Sequence, residues 1–175
     1  AGAVGVNLED RSGDEDAPLF GPGEQADRLA AARAAAHRLG IPLWINARTD
    51  VFLAGAGPAE GRVRAVLERS EAYAAAGADS LFVPGLVDPD AVAELAGGPL
   101  PVAVMAGPGA PGVVELAAAG VVRISLGSAV AQAAYAVAAR AAAELGTHGT
   151  YDAAAGGLAY PVLNALMTAE AGRRR

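Results

Sequence analysis

The chain contains no cysteine and no lysine, and all 13 of its basic side chains are arginine. The lack of cysteine excludes disulfides, thiolate metal sites and a cysteine nucleophile. The lack of lysine excludes Schiff-base chemistry and a lysine general base. Aromatic residues make up only 5%, whereas hydrophobic residues make up 53% and charged residues 18%. A chain of 175 residues with this balance is typical of one globular domain rather than of a disordered segment.

Long apolar runs and basic patches are also absent. No uninterrupted apolar run has the length of a transmembrane helix, and no signal-peptide pattern begins at Ala1, so we expect a cytoplasmic protein with no membrane partner. The net charge of −6 argues against nucleic-acid binding, since the only basic cluster is Arg173–Arg175, which we interpret as a solvated end. A start without Met, close to a strand, suggests a fragment, although removal of Met before Ala would leave the same start.

Strands and helices are predicted to alternate along the chain. The five predicted strands are 4–8, 43–47, 79–84, 101–105 and 121–125, and the predicted helices are 24–39, 59–76, a short one from 89, 113–118, 129–145 and a broken one over 150–169. Such βα repeats predict a parallel sheet in a single domain, 1–175, with a helical tail over 150–175. Five units fit either a doubly wound sheet or part of a (β/α)8 barrel, which needs roughly 250 residues when complete.

Polar side chains follow the first two predicted strands, and in both architectures the site lies at the carboxyl ends of the strands. Glu9 and Asp10 end the first strand, and Arg48 and Asp50 end the second. Carboxylates suit a hard cation such as Mg²⁺, and an arginine suits a substrate carboxylate or phosphate. Each residue also has a structural interpretation: the acidic pair could begin a solvated loop, and Arg48 could form an ion pair with Asp50. Ser125 could bind a phosphate, although capping a helix is the commoner use of a serine there.

Five segments, in order, resemble the isocitrate lyase/phosphoenolpyruvate mutase (phosphonomutase) superfamily. They are Val-Asn-Leu-Glu-Asp (6–10), Ile-Asn-Ala-Arg-Thr-Asp (45–50), Gly-Ala-Asp-Ser-Leu-Phe-Val-Pro-Gly (77–85), Val-Met-Ala-Gly-Pro-Gly-Ala-Pro (104–111) and Arg-Ile-Ser-Leu-Gly-Ser (123–128). The resemblance implies a (β/α)8 TIM barrel, of which this chain supplies strands four to eight and the C-terminal helices. It also implies a Mg²⁺ cofactor and C–C or P–C bond chemistry through the enolate of a 2-oxo acid.

The resemblance assigns roles to individual residues. Glu9 takes the role of a metal ligand acting mostly through water. Arg48 takes a catalytic role and, with Asn46, binds the substrate, while Asp10, Asp50 and Ser125 are further candidates. Four departures favour an uncharacterised branch of the family: the first three strands with the main metal aspartates are missing, the loop 11–23 has no Lys–Cys element, Pro84-Gly85 replaces the usual Glu or His, and Ala103 stands where many relatives have Asn.

Two functions from different classes follow. The first is a Mg²⁺-dependent lyase or mutase acting on a small 2-oxo or 2-hydroxy carboxylate or phosphonate, with loop 11–23 as a lid and with inactivity of the fragment left open. The second is a non-catalytic barrel fragment stabilised by association, because an incomplete barrel exposes two sheet edges. For both we expect a homo-oligomer, a dimer or a tetramer, and the segment 150–169 could be the helix that relatives exchange between subunits.

Overall fold

The computed structural model describes residues 2–172, with side chains described as far as residue 168. Arg173–Arg175, predicted to be a solvated end, lie outside the described residues. The strands are β1 (Gly5–Glu9), β2 (Trp44–Arg48), β3 (Ser80–Val83), β4 (Val102–Met105) and β5 (Val121–Ser125). The helices are α1 (Pro22–Arg38), α2 (Arg62–Ala75), α3 (Pro89–Ala96), α4 (Val113–Ala118), α5 (Ala129–His148) and α6 (Tyr160–Gly172).

The five strands form one parallel sheet in the order β1-β2-β3-β4-β5. A doubly wound sheet would reverse its strand order at a switch point, and this sheet has none. Sequential order is instead what successive βα units of a barrel produce. The topology therefore favours the barrel over the doubly wound alternative, and it places the carboxyl ends of β1 and β2 side by side.

Most element boundaries agree with the sequence pattern to within one to three residues. Asp88 caps α3 through a hydrogen bond from the Ala91 amide to its side chain (2.9 Å), and Pro89 occupies the first turn. The predicted helix 59–76 differs at its start, because Ala59–Gly61 forms a 3-10 turn before α2 begins. The capping residues therefore located the start of α3 correctly. The sequence pattern did not separate the 3-10 turn at Ala59–Gly61 from α2, which follows it.

The two faces of the sheet have different surroundings. One face packs against the helices and forms the apolar core, whose fully buried members include Leu29, Ile45, Val66, Leu81, Val83, Val92, Leu95, Val102, Val104 and Leu116. The other face carries the alternate residues, and in a closed barrel it would line the interior. We call it the inner face; Trp44 on it is 54% exposed. Burial on one face only fixes the strand register, because a one-residue slip would exchange the two faces.

The pairing of β4 with β5 contains one irregularity. Val102 pairs with Val121, but Ala103 pairs with Arg123, so Val122 is an extra residue in β5. Val121 is buried on the helix-covered face, while Val122 and Arg123 both border a concavity of the inner face. This β-bulge therefore brings the arginine to the inner face.

The chain comprises two compact units, Ala1–Gly127 and Ser128–Arg175. In the second unit α5 ends at Gly149, which has a left-handed φ of 68°. The Glu144 carboxylate accepts hydrogen bonds from the Thr150 hydroxyl and from the amides of Asp152 (2.8 Å) and Ala153 (2.6 Å). These bonds lower the pKa of Glu144. The single-domain arrangement of 1–175 stays a prediction.

Among the described helices, none combines the length and the apolar character needed to cross a membrane.

A glycine at the carboxyl end of β3 provides a test of how the strand ends pack. Gly85 has a φ of +86°, and a Cβ placed there would lie 3.0 Å from the Leu53 amide nitrogen. We expect Gly85→Ala to lower the free energy of unfolding by about 1–3 kcal/mol, because both the conformation and the backbone contact oppose it. Gly107, after β4, is the matched control, since its Cβ would meet nothing within 4 Å. Urea denaturation of both variants measures the difference, and equal effects would contradict the proposed contact.

Candidate functional site

A single register row crosses the sheet on the inner face. Glu9 pairs with Arg48, Arg48 with Phe82, Phe82 with Ala103, and Ala103 with Arg123. We call these five residues the cross-sheet row. It joins the predicted metal ligand and the predicted substrate ligand in one line, because paired residues of neighbouring strands lie roughly 5 Å apart.

Arg48 is held by two carboxylates at the end of β2. Its Nε donates to Asp50 Oδ1 (2.6 Å) and its Nη2 to Asp50 Oδ2 (3.0 Å), while Nη1 lies 3.1 Å from Glu9 Oε2. The Asp50 side chain is fully buried, whereas that of Arg48 is 26% exposed. The Asp50 hydrogen bonds, and then the charges of Asp50 and Glu9, raise the pKa of Arg48 against the opposing effect of burial. The guanidinium is thus charged and fixed in orientation, yet accessible from solvent.

Asp10 is completely buried and has a different environment from Glu9, its neighbour in sequence. Its Oδ1 accepts from the Asp50 amide (2.9 Å), and its Oδ2 accepts from Arg69 Nη1 and from the Tyr73 hydroxyl (3.0 Å each). Arg69 Nη1 also donates to the carbonyl of Phe20 (2.9 Å). Asp10 therefore connects the ends of β1 and β2 to α2, and its contacts are those of a structural anchor. Its assignment as a site residue stays a prediction.

Tyr73 lies in the same cluster and is fully buried. Burial, together with the charge of Asp10, raises its pKa well above the ordinary value of 10, while Arg69 opposes the shift. The phenol hence stays protonated into the alkaline range, with its hydroxyl donating a hydrogen bond to Asp10 Oδ2.

The predicted lid, loop 11–23, is anchored at both ends rather than extended. The Phe20 amide donates to the Asp10 carbonyl (2.8 Å), and Arg11 forms an antiparallel bridge with Leu19. Arg11 Nη1 also lies 3.8 Å from Asp50 Oδ2. The loop borders a cavity of about 420 Å³ lined by Arg11, Gly13, Asp14, Glu15, Pro18 and Ala54. It therefore stands next to the Arg48–Asp50 pair, where a closing loop would have to act.

Asn46 lies on the inner face, two residues before Arg48, within a chain of hydrogen bonds. Trp44 Nε1 donates to Ser80 Oγ (2.9 Å), the Ser80 hydroxyl donates to Asn46 Oδ1 (2.6 Å), and Asn46 Nδ2 donates to Asn7 Oδ1 (2.5 Å). A concavity of about 240 Å³ is lined by Gly5, Val6, Asn7, Trp44, Asn46 and Arg123. Asn46 thus lies near the cross-sheet row, and its side-chain amide is hydrogen-bonded to Asn7 and Ser80. Its role in substrate binding stays a prediction.

The remaining candidate, Ser125, ends β5. Its hydroxyl donates to the Val104 carbonyl (3.3 Å), which satisfies it locally. Ser128, at the start of α5, makes no side-chain capping bond. The structure therefore does not bring Ser125 into contact with Glu9 or Arg48.

The carboxylates near Arg48 are the groups that could bind magnesium. Within residues 2–172 no group of three or more His, Asp or Glu side chains is arranged to hold a metal ion. Asp10 and Asp50 are fully buried and bonded to arginines, which leaves Glu9, with a side chain 48% exposed, as the one accessible carboxylate of this cluster. Mg²⁺ needs several oxygen ligands in near-octahedral geometry. These residues alone do not fit a complete magnesium site.

Three members of the cross-sheet row, Phe82, Ala103 and Arg123, were not predicted as site residues from the sequence. The Arg123 guanidinium carbon lies 4.9 Å from the centre of the Phe82 ring, and that of Arg48 lies 5.9 Å from it. The available signal was a charged residue inside the otherwise apolar run Val121–Ile124. That signal did not reveal the face on which Arg123 lies, because the bulge in β5 changes the alternation.

Comparisons with known proteins agree with this architecture. Residues 1–146 match the family described as phosphoenolpyruvate phosphomutase. An uncharacterised protein of Mycobacterium tuberculosis is 35% identical over 127 residues, which cover 71% of this chain and 45% of that protein. The chain thus spans about half the length of the curated relatives that it matches.

Solved structures extend the likeness to the fold. A provisionally assigned lyase/mutase from Burkholderia cenocepacia J2315 is 35% identical with a TM-score of 0.85, over 95% of this chain and 59% of that one. An oxaloacetate acetylhydrolase solved with its product oxalate is 25% identical with a TM-score of 0.71, over 98% of this chain and 61% of that one. The prediction of a (β/α)8-type fold represented in part is confirmed.

The Arg48–Asp50 pair predicts strong energetic coupling. We expect Arg48→Ala to lower the free energy of unfolding by about 2–4 kcal/mol, because it leaves a buried carboxylate without its main partner. Asp50→Asn in the same chain should recover part of that loss. A double-mutant cycle in urea measures the coupling. The control cycle uses the exposed pair Arg64–Glu68, for which we expect less than about 0.5 kcal/mol. Additivity at Arg48 and Asp50 would contradict the buried pair.

The raised pKa of Tyr73 predicts that this side chain does not ionise between pH 9 and 11 in the folded protein. In the folded protein, Tyr73→Phe should leave the phenolate absorbance gained between pH 9 and 11 unchanged, whereas in urea it should remove the signal of one of the four tyrosines. Since the folded pKa exceeds the unfolded one, the stability that Tyr73 contributes is complete below about pH 10 and declines as the pH rises further. The wild type should therefore lose stability above pH 10 more steeply than the variant. A smaller folded-state amplitude in the variant would disprove this.

Proposed function

Because the chain belongs to the phosphoenolpyruvate phosphomutase family, we propose that it carries the arginine side of an active site for a lyase or mutase of that kind. The substrate is a small 2-oxo or 2-hydroxy carboxylate, or a phosphonate, and the reaction makes or breaks a C–C or P–C bond through an enolate. The chain spans only part of its relatives, so this proposal concerns the reaction in which its residues take part.

The observation that carries the proposal is the state of Arg48. A guanidinium whose Nε and Nη2 are bonded to buried Asp50 has lost much of its rotational freedom before a ligand arrives. Preorganised charge of this kind binds a carboxylate at lower entropic cost than a mobile surface arginine does. Arg48 would hold the carboxylate next to the carbonyl carbon of the substrate, and Asp50 would keep the guanidinium aligned.

Glu9 has two roles in the proposal. It faces Arg48 across the β1–β2 pairing, 3.1 Å from Nη1, so it restrains the same guanidinium. Its half-exposed carboxylate is also the group that would contribute to a Mg²⁺ site, mostly through water. The other ligands would come from the part of the barrel that this chain does not include, since the described residues do not complete such a site. Loop 11–23 would cover the site when substrate binds.

A second candidate, a non-catalytic barrel fragment stabilised by association, also has an observation in its favour. Within the described residues, β1 and β5 each pair on one side only, and the inner face exposes Trp44 and Val122. Open edges and exposed apolar side chains favour association with another chain. This candidate makes no use of the oriented guanidinium of Arg48, which is why we place it second. A homo-oligomer and a cytoplasmic location are compatible with both candidates and stay predictions.

Oxalate is the probe that separates the two candidates, since the related acetylhydrolase was solved with it. We expect oxalate to raise the melting temperature, because Arg48 would bind it in the native state and ligand binding to the native state stabilises that state. At 100 times the dissociation constant the stabilisation would be about 2.7 kcal/mol. Arg48→Lys, which keeps a positive charge near Asp50 but lacks the planar donor set, should remove this shift.

Arg64→Lys is the matched control, because that side chain is 86% exposed on α2 and should leave the shift intact. Differential scanning fluorimetry over an oxalate series measures all three proteins. A wild type with no shift at saturating oxalate would refute the catalytic proposal and favour the second candidate.

A further inference from the structure

Arg123 is the one other arginine in the cross-sheet row, and its surroundings differ from those of Arg48. No carboxylate oxygen of the described residues lies within 4.0 Å of its guanidinium, in contrast with the arginines at positions 33, 48 and 69. Its side chain is exposed, and its guanidinium carbon lies 4.9 Å from the centre of the Phe82 ring. An arginine stacked on an aromatic ring keeps its N–H groups available at its edges.

Phe82 stands between the two arginines. It pairs directly with Arg48 on one side and, through Ala103, is followed by Arg123 on the other. Although it lies on the inner face, its exposed fraction is only 5%. The distance between the two guanidinium carbons is at most the sum of their distances to the ring centre, 5.9 and 4.9 Å. Two guanidinium groups within this distance of each other can contact both ends of a short-chain diacid.

The space around Arg123 is suited to a small polar ligand. Arg123 lines a concavity of about 240 Å³ with Asn46 and Asn7, and a neighbouring one of about 360 Å³ with Ser80 and Ala103. The single methyl group of Ala103 is the only side chain between Phe82 and Arg123 in the row. The walls supply amide and hydroxyl groups rather than carboxylates, so they do not repel an anion.

We propose that Arg123 is a second anion-binding residue, which together with Arg48 makes the site selective for substrates that carry two negatively charged groups. The inference rests on the proposed function, since Arg48 must first bind one carboxylate. Arg48 binds the group next to the reacting carbon, and Arg123 binds the far group on the other side of Phe82. Selectivity arises because a monoacid leaves the Arg123 charge without a partner, whereas a diacid pairs both arginines.

The test compares two acids of equal length, succinate and butyrate, by isothermal titration. We expect the wild type to bind succinate about tenfold more tightly than butyrate, the scale of one charge-assisted pair. Arg123→Gln should abolish this preference and leave butyrate binding unchanged. Arg123→Lys should restore part of it if charge, rather than stacking on Phe82, is the cause. Arg64→Gln, at an exposed site, is the control and should bind both acids as the wild type does.

The outcomes separate the two proposals. If Arg123→Gln retains the full preference for succinate while Arg48→Lys has lost binding of both acids, the role of Arg123 is wrong and the proposed function stands. If Arg48→Lys binds both acids as the wild type does, the proposed function is wrong and the role of Arg123 fails with it. Circular dichroism of each variant checks folding. If Arg123→Gln is unfolded, Arg123→Met, which also removes the charge, decides the matter: loss of the preference for succinate would support the proposal, and an unchanged preference would overturn it.

Discussion

The buried carboxylate of Asp10 is the interaction on which the arrangement of the site depends. Its oxygens bond to the backbone of the β2 end and to two side chains of α2, and its carbonyl holds the end of loop 11–23. A fully buried charge is tolerated only where it is paired and hydrogen-bonded, and Arg69 and Tyr73 supply that compensation. Because the Asp50 amide is among the partners, Asp10 fixes the backbone from which Asp50 orients Arg48. The orientation of the accessible Arg48 guanidinium therefore depends on the buried Asp10 carboxylate.

Two arginine–aspartate pairs in the first unit show why residue type alone does not define a site. Arg33 bonds to Asp79 and also to the carbonyls of Leu43 and Gly77, so its donors are used by the loops at the amino ends of the strands. Arg48 has Asp50 and Glu9 as partners and lies at the carboxyl ends. The Arg33–Asp79 pair links the loops at the amino ends of the strands, whereas the Arg48–Asp50 pair leaves a charged guanidinium accessible at the carboxyl ends. Position along a parallel strand, rather than composition, separates the two uses.

The order of the elements could be predicted from sequence because each depends on short-range signals. Periodicity located the strands, and Asp88-Pro89 located the start of α3. The adjacency of Glu9 and Arg48 was also within reach, since carboxyl ends of neighbouring parallel strands meet at one edge. The direction of each side chain could not be predicted. Glu9 and Asp10 are consecutive and chemically similar, yet the Glu9 side chain is half-exposed and the Asp10 side chain is fully buried. Burial of a charge depends on partners distant in sequence, here Arg69 and Tyr73, which no local pattern reveals.

The extra residue in β5 has an evolutionary consequence. Side-chain direction in a strand alternates with every residue, and the bulge at Val122 interrupts that alternation. If Val122 were deleted, Arg123 would follow Val121 directly and would still pair with Ala103 on the inner face. If Val122 were kept in a regular strand, Arg123 would instead be directed at the apolar layer beneath the helices. A relative with one residue fewer at this point could therefore carry the same arginine on the same face, because the bulge absorbs the extra residue.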